Sequence, residues 1–411
     1  MVSNSNLSGL STELLIKIFS YADIPDLCRL KQTCRRFNSI ISSWDHIILK
    51  DIPLPLATNQ MSNIFLSKCS HKLTTLEKLR ISKNWTIGKY YEKSLLCVKK
   101  KFMPWLQLEE KCIWLSRGRF VFCYHRKGSY VKLKPIYYYH RETNSDVAHF
   151  QKKGNTLVCG LRDGSLCINN TVQRSSRFLR SCHESDVNSV DINTNENIVV
   201  SGGRDNWFKV WKRNIETNEV ALTYENNLQD RIWKVAILDE GPLLAIGTSA
   251  NNNINSIFIN DIQRATNILQ LSCCEYNHGV LDMKWDGPHC VWSCGYDTYL
   301  RKWDLRTGNC VQIYKDPHAS ALYCLDYDYC NTVMTGTQLH GRVILWDVRQ
   351  KNSVQLFFME SCKSRGLGRN SPVYSLAFEA EYLFTATDQN LNVLNFSGYN
   401  GAIHDYSDCC K

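Results

Sequence analysis

Short runs of alternating apolar and polar residues, separated by tight turns, dominate the chain after its first hundred residues. The stretch 278–304 is the most regular, because its apolar segments are divided by Gly287-Pro288 and by Gly295-Tyr296-Asp297. Alternation over a few residues is typical of half-buried β-strands, and turns this short join neighbouring antiparallel strands. The pattern therefore predicts three short strands within this stretch.

Polar residues around these strands can form a buried hydrogen-bond network. Asp297 stands six residues before Trp303, so its carboxylate can bond the turn amides and pair with His278. Ser293 can bridge His278 to the Trp303 indole N–H, which leaves each member of the set with a partner. We therefore interpret these four side chains as structural rather than catalytic.

The same spacing recurs along the chain. Residues 183–211 repeat it in full, and residues 318–347 repeat it with His340 where the aspartate is expected, which predicts a looser turn. The network residues predicted in these two copies are His183, Ser201, Asp205 and Trp211, and then His318, Thr335 and Trp346. Weaker copies occupy 101–134, 146–168, 231–259 and 371–396.

This repeat resembles the WD40 repeat. Residues 101–411 divided into seven units give about 44 residues each, which is within the spacing of that family. The resemblance implies a mainly β fold, a WD40 β-propeller of seven blades in which ring closure leaves no long exposed edge. Six blades are the alternative, if residues 101–134 supply only a closing strand.

The first fifty residues follow a helical pattern instead. Leu14, Leu15, Ile18 and Phe19 form one apolar stripe, and Ser11 or Thr12 can cap the helix that carries it. Residues 23–26 break this helix and begin a second one, because proline is tolerated in a first helical turn. Thr33 is the predicted cap of a third helix. A core built from about 40 residues is small, so part of the apolar surface is expected to face a partner.

These helices resemble the F-box, the motif that docks on the Skp1 adaptor of cullin-RING ubiquitin ligases. The resemblance rests on the order and spacing of residues in LSTELLIKIFSYADIPDLCRLKQTCRRFNSI, although Ser11 stands where the family usually has proline. The alternative is an ordinary three-helix bundle whose stripe is only its own core. The resemblance implies that Skp1 is bound by Leu10, Leu14, Leu15, Ile18, Phe19, Pro25, Leu27, Leu30, Cys34 and Phe37.

Residues 51–100 are predicted to form a basic, partly helical linker. The positive charge is concentrated early, since residues 1–140 carry a net charge of +14 and the remaining residues a net charge of −4. Basic residues interleaved with aromatic ones also occur on nucleic-acid-binding surfaces. No RNA- or DNA-binding signature accompanies them here, so a linker packed against the helices is favoured over a nucleic-acid partner.

Composition restricts the remaining classes of function. The chain has no run of 18 apolar residues and no signal-peptide order at its N-terminus, so we expect no membrane span and a location in the cytoplasm or nucleus. The 19 cysteines lack C-x-x-C spacing, which predicts reduced thiols, no metal and no cofactor. No Gly-x-Ser-x-Gly, phosphate-loop or His-Glu-x-x-His motif indicates an enzyme.

Together the two modules resemble the F-box/WD-repeat proteins, the substrate receptors of SCF (Skp1–cullin–F-box) ubiquitin ligases. The resemblance implies an F-box at 1–50, a linker at 51–100 and a propeller at 101–411. It also implies a non-catalytic subunit that binds Skp1, and through it a cullin-RING core. The alternative is a WD40 scaffold or nucleic-acid-associated protein with a purely structural helical N-terminus.

A substrate of such a receptor would sit on the face of the propeller that carries the network histidines and aspartates. Aligning the repeats places on this face Arg162, Asn188, Arg204, Trp233, Tyr296, Tyr323 and Tyr374. Receptors for phosphorylated segments need several arginines, because phosphate requires charge-assisted, bidentate donors. Two arginines among aromatic residues predict a substrate recognised mainly by aromatic and apolar contacts, with at most one phosphate or carboxylate.

Overall fold

Helices fill the first part of the chain and strands the rest. The computed structural model describes residues 7–50, 53–139, 144–251, 253–272, 278–359 and 371–410. Within these ranges no helix is long and apolar enough to cross a membrane. The α-helices are α1 (Thr12–Phe19), α2 (Ile24–Thr33), α3 (Arg35–Ser43), α4 (Asp45–Ile48), α5 (Asn63–Leu66) and α6 (Thr75–Thr86).

The starts of the first three helices are fixed by side-chain caps. Ser11 caps α1 by accepting a hydrogen bond from the Leu14 amide, and Asp23 caps α2 in the same way. The prediction that Thr33 caps the third helix is wrong. Thr33 is the last residue of α2, and the extended backbone belongs to Cys34, whose Sγ accepts from the Phe37 amide.

A single apolar core joins the F-box-like helices to α6. Its buried side chains include Leu15 and Phe19 from α1, Phe37 from α3, and Leu76 and Leu79 from α6. Burying such a side chain is worth about 1.5–3 kcal/mol. Contacts across this core therefore hold the helical module against α6.

The other end of α6 enters the propeller. Trp85 is fully buried, its ring stacks on Phe396 at a centroid distance of 3.5 Å, and its indole N–H donates to the Ala380 carbonyl. At the opposite end of the helix Thr74 and Glu77 form a reciprocal capping box. Because one helix contributes to both cores, it fixes the module relative to the propeller.

The described strands form seven antiparallel sheets arranged as blades. Each sheet begins with an inner strand and ends with an outer one. The strands are β1 (Lys89–Cys97); β2 (Leu106–Leu108), β3 (Cys112–Arg117), β4 (Phe120–Lys127), β5 (Tyr130–Val131) and β6 (Tyr137–Tyr139) of blade 1; β7 (Val147–Lys153), β8 (Thr156–Leu161), β9 (Leu166–Asn170) and β10 (Ser176–Leu179) of blade 2; β11 (Val187–Ile192), β12 (Ile198–Gly203), β13 (Trp207–Arg213) and β14 (Val220–Asn227) of blade 3; β15 (Ile232–Ile237), β16 (Leu243–Thr248), β17 (Ile257–Asp261) and β18 (Thr266–Leu271) of blade 4; β19 (Val280–Trp285), β20 (Cys290–Gly295), β21 (Tyr299–Asp304) and β22 (Asn309–Lys315) of blade 5; β23 (Leu322–Tyr327), β24 (Thr332–Thr337), β25 (Arg342–Asp347) and β26 (Ser353–Phe358) of blade 6; and β27 (Ser375–Phe378), β28 (Tyr382–Ala386), β29 (Asn390–Asn395) and β30 (Ala402–Ile403) of blade 7.

The ring is closed by a strand from the linker. β1 pairs with β29 from Tyr91↔Asn395 to Cys97↔Asn390, and its first residues pair with β30. The boundary predicted at residue 100 is therefore misplaced, because the outer strand of blade 7 begins at Lys89. Residues 101–134 supply strands of a blade of their own rather than a closing strand, which gives seven blades and not six.

Two ends of the ring can be distinguished. We call the end at which the inner strands begin the top face, and the end at which they finish the bottom face. The linker lies on the bottom face of blades 6 and 7, where the Ala57 amide donates to Thr332 Oγ1 and the Ser70 amide donates to the Glu379 carboxylate. The described cysteines are free thiols except Cys97, which is disulfide-bonded, so the expectation of reduced thiols does not hold there.

Candidate protein-binding surfaces

Helix α1 presents two apolar stripes that face in different directions. Leu15 and Phe19 have no exposed surface, whereas Leu14 is 51% and Ile18 is 41% exposed. Tyr21, just beyond the helix, is 82% exposed. The exposed stripe is the part of α1 that can contact a partner without disturbing the module.

The remaining residues predicted to bind Skp1 divide in the same way. Leu27 and Phe37 are buried with Leu15 and Phe19 in the core of the module, so these four support the surface and do not form it. Leu10, Leu30 and Cys34 are half-buried around that core, and Pro25 lies in the first turn of α2. Trp44 and Ile47, which the prediction did not include, are also exposed apolar residues of the module, and their exposure depends on how α4 packs.

The predicted hydrogen-bond network is complete in blade 3. His183 Nδ1 lies 3.0 Å from the Asp205 carboxylate, and Nε2 lies 2.8 Å from Ser201 Oγ. The Trp211 indole N–H donates to the same Oγ at 3.0 Å. Burial tends to raise the pKa of Asp205, but the hydrogen bond and charge of His183, with two backbone amides, hold it below its ordinary value.

In blade 5 an arginine of the same blade contacts the aspartate of the network. The Trp303 indole N–H donates to Ser293 Oγ at 2.8 Å, as expected. Asp297 accepts from the Tyr299 amide and from Arg301 Nε at 2.9 Å, while His278 lies half-buried at the start of the blade. An ion pair with Arg301 thus helps to hold the turn that carries Tyr296.

Blade 6 departs from the prediction. Trp346 donates to Thr335 at 2.9 Å, but His318 is an exposed residue rather than a member of the network. The loop before β23 instead buries Asp316, which pairs with buried Arg342 at 2.6 Å and accepts from the Ser320 amide. An ion pair therefore replaces the histidine–aspartate pair, and His340 occupies its turn with a positive φ of 67°.

Three tyrosines form a row on the top face of blades 5, 6 and 7. Tyr296 lies in the β20–β21 turn, Tyr323 is the second residue of β23, and Tyr374 precedes β27. The ring centroids of Tyr296 and Tyr323 are 6.2 Å apart, and those of Tyr323 and Tyr374 are 6.1 Å apart. Tyr296 is 39% exposed and the other two are half-buried. We call these three residues the tyrosine row.

The other predicted substrate residues have more varied surroundings. The Asn188 side chain donates to the Ile232 carbonyl and so links blades 3 and 4. Trp233 is half-buried, and its indole N–H has no hydrogen-bond partner among the described residues. Arg162 pairs with Asp186 at 3.2 Å, whereas the exposed Arg204 forms no ion pair with any described residue. Of the two predicted arginines, Arg204 is therefore the one whose guanidinium group remains available to an anion.

A central channel of about 840 Å³ opens on the bottom face. Its charged groups pair with one another: Lys234 with Asp282 at 3.0 Å, and both Lys284 and the linker residue Lys68 with Asp326. Burial and the charge of Lys234 lower the pKa of His149 well below its ordinary value. No cluster of metal-binding side chains occurs in the described ranges.

Helices and propeller together define an F-box/WD-type receptor: a small helical docking module fixed to a seven-bladed ring whose far face is open. Comparison with known proteins agrees. Residues 12–50 match the F-box-like family, and residues 175–212 match the WD domain, G-beta repeat family. The second match covers blade 3.

The whole chain is also similar to individual proteins. It is 33% identical over 402 residues to F-box/WD repeat-containing protein 4 of Mus musculus and to that of Homo sapiens, covering 94% of this chain and 92% of each relative. A shorter match, 34% identical over 77 residues, is to Nuclear distribution protein PAC1 of Candida glabrata and covers 19% of this chain and 16% of that protein. The chain belongs to the F-box/WD-repeat family, the substrate receptors of SCF ubiquitin ligases.

Proposed function

We propose that this receptor recognises its target with the tyrosine row on the top face, while the exposed stripe of α1 binds Skp1. The observation that carries the proposal is the position of the row. Tyr296, Tyr323 and Tyr374 lie at the end of the ring opposite the linker and are not covered by any described segment of the chain. Aromatic side chains of this kind dominate the binding energy of many protein interfaces.

The electrostatics of the face support recognition by aromatic and apolar contacts. Burial raises the pKa of Tyr323 to about 12, with the neighbouring Tyr296 and Tyr374 adding to the effect, so its hydroxyl is neutral at physiological pH. Of the two predicted arginines, Arg162 is already paired with Asp186, so Arg204 is the one that can meet an acidic group of the target. A heavily phosphorylated segment needs several guanidinium groups, and the two predicted arginines supply one that is unpaired.

Proteins of this family are generally non-catalytic adaptors, and we propose the same for this chain. His183 is held by Asp205 and Ser201 within its blade, and the buried charges of the channel pair with one another. These contacts account for the groups that could otherwise suggest a catalytic dyad. Transfer of ubiquitin would then take place on other subunits of the ligase.

Affinity purification tests the role of the row. We expect the Tyr296→Ala/Tyr323→Ala/Tyr374→Ala variant to lose target proteins that copurify with the unchanged chain, with recovery at least about tenfold lower. A matched variant, Tyr91→Ala/Tyr130→Ala/Tyr399→Ala, removes three exposed tyrosines from other surfaces and should keep those targets. Skp1 should remain bound in every sample. Identical targets in all three samples would show that the row is not the recognition site.

A further inference from the structure

A pocket on the top face adjoins the tyrosine row where blades 1, 2 and 7 meet. It has a volume of about 330 Å³, enough for a large side chain. Tyr374 belongs to both features, because it ends the row and lines the pocket. The other residues around the pocket include Lys101, Phe102, Met103, Asp146, Arg162 and Asp388.

The two basic groups of the pocket already have acidic partners. Lys101 Nζ lies 2.9 Å from the Asp388 carboxylate. Arg162 Nη1 lies 3.2 Å from the carboxylate of Asp186, and Nη2 donates to the Met103 sulfur at 3.1 Å. An incoming anion would therefore have to compete with a carboxylate at each cation.

The remaining charge of the pocket is negative. Asp146 is half-buried, and none of the described residues donates a side-chain hydrogen bond to its carboxylate or forms an ion pair with it. Asp388 and Asp186, the second of which lies outside the lining, each pair with one of the two cations, so Asp146 is the carboxylate of the lining that has no cationic partner among the described residues. Burial, aided by Asp388, raises the pKa of Tyr374, so its ring lines the pocket in the neutral phenol form.

We infer that this pocket takes a basic side chain, lysine or arginine, of the bound target. A cation there would pair with the Asp146 carboxylate and lie beside an aromatic ring, two interactions that favour positive charge. Lys101 shows that the rim of the pocket holds an ammonium group against Asp388. The inference rests on the proposed function, and it specifies a target segment that combines apolar residues for the tyrosine row with one basic residue.

A random nine-residue peptide library displayed on phage can test this assignment on the full chain bound to Skp1. Peptides that bind the unchanged chain and are lost with Tyr323→Ala define ligands of the row. Among them we expect lysine or arginine to be enriched at one position. Asp146→Asn should weaken a selected peptide about tenfold, and replacing its basic residue by alanine should have little further effect.

The controls separate this inference from the proposed function. Glu184→Gln removes an exposed top-face carboxylate that does not line the pocket and should leave peptide affinity unchanged. Peptides that depend on Tyr323 but show no basic position, or that bind Asp146→Asn as tightly as the unchanged chain, overturn the pocket assignment alone. A selection without any Tyr323-dependent peptide contradicts the proposed function and the pocket together.

Discussion

The bottom and top faces of the ring use similar residue types in opposite ways. On the bottom face, Arg126 has no exposed side-chain surface and lies 2.7 Å from the equally buried Glu379. Arg126 also donates to the carbonyl of the linker residue Lys68 and to that of Glu109 in blade 1, while Glu379 accepts from Ser70. On the top face, Arg204 is exposed without an ion-pair partner among the described residues, and Tyr296 is 39% exposed.

This difference shows how one closed ring serves two purposes. Buried polar groups are costly unless each has a partner, and the bottom face supplies partners from the linker and from blades 1, 6 and 7. These contacts fix α6 and the helical module in one position. The top face has no such segment over it in the described ranges, so its aromatic and basic side chains remain accessible to another protein.

The largest expected effect comes from breaking the buried pair on the bottom face. Arg126→Ala leaves the Glu379 carboxylate buried without its cation, which should lower the free energy of unfolding by about 3–5 kcal/mol. Denaturant unfolding of the chain with Skp1 measures the loss. Arg306→Ala is the matched control, because Arg306 pairs with Asp304 at the same 2.7 Å but is 66% exposed, and its removal should change stability very little. Equal losses would contradict the comparison.

The sequence predicted the kinds of element well, but not which apolar residues are covered. The stripe of Leu14, Leu15, Ile18 and Phe19 is wide enough to wrap both sides of α1, and spacing alone does not divide it. The division is made by Leu76 and Leu79 of α6, which pack on the core side of the module. Such a contact joins residues about sixty positions apart and follows no local pattern.

The candidate site was also only partly predictable from the spacing of residues in the sequence. The regular spacing from His183 to Trp211 predicted a complete network, because each member lies at a fixed place within one blade. The spacing did not predict that the Asp316–Arg342 ion pair takes the place of the histidine–aspartate pair in blade 6. An ion pair can form there from other positions of the same loops, so the repeat spacing does not reveal it. The pocket was missed because it is formed between blades by Lys101, Asp146 and Tyr374, which no motif connects.

A second prediction separates adaptor binding from target binding. Leu14→Asp with Ile18→Asp places two charges on the exposed stripe of α1 and should weaken Skp1 binding at least about 100-fold, or about 2.7 kcal/mol. Thermal unfolding should be unchanged, because neither side chain belongs to the buried core of the module. Binding can be measured by calorimetry with purified Skp1.

The matching buried variant makes the test specific. Leu15→Ala with Phe19→Ala should reduce both stability and Skp1 binding, because these residues hold the helices together. The charged double variant should still capture targets through the tyrosine row. Undiminished Skp1 binding by that variant would place the adaptor site elsewhere on the module.

The smallest expected change in stability concerns two neighbouring aspartates on the bottom face. Burial tends to raise the pKa of Asp326, but the charges and hydrogen bonds of Lys284 and Lys68 have the larger combined effect and lower that pKa to about 2. Asp328 forms no ion pair with any described residue, and burial raises its pKa to about 6. Its Oδ1 accepts from three backbone amides, while Oδ2 has no partner among the described residues.

The sign of the pH dependence follows from these two pKa values. An aspartate with an ordinary pKa of 3.8 in the unfolded chain and about 6 in the folded one destabilises the fold as pH rises through that window, and the cost is constant above it. Asp328→Asn keeps Oδ1 as an acceptor and removes the buried charge. The charge penalty is almost fully present at pH 7 and nearly absent at pH 4, so the variant should gain about 2 kcal/mol in free energy of unfolding relative to the unchanged chain between pH 4 and pH 7. The cost of the new amide donor is the same at both pH values, so the variant should be about 1 kcal/mol more stable at pH 7 and slightly less stable near pH 4.

The neighbouring residue provides the control. Asp326→Asn removes a carboxylate that two lysines need, so it should destabilise the chain at pH 7, and the difference should shrink only as pH falls toward about 2. Opposite signs for two aspartates two residues apart, measured by denaturant unfolding at pH 4 and pH 7, would show that the bottom face is stabilised by pairing and not by acidic residues as such. Destabilisation by Asp328→Asn at pH 7 would mean that its charge, like that of Asp326, is stabilised in the fold.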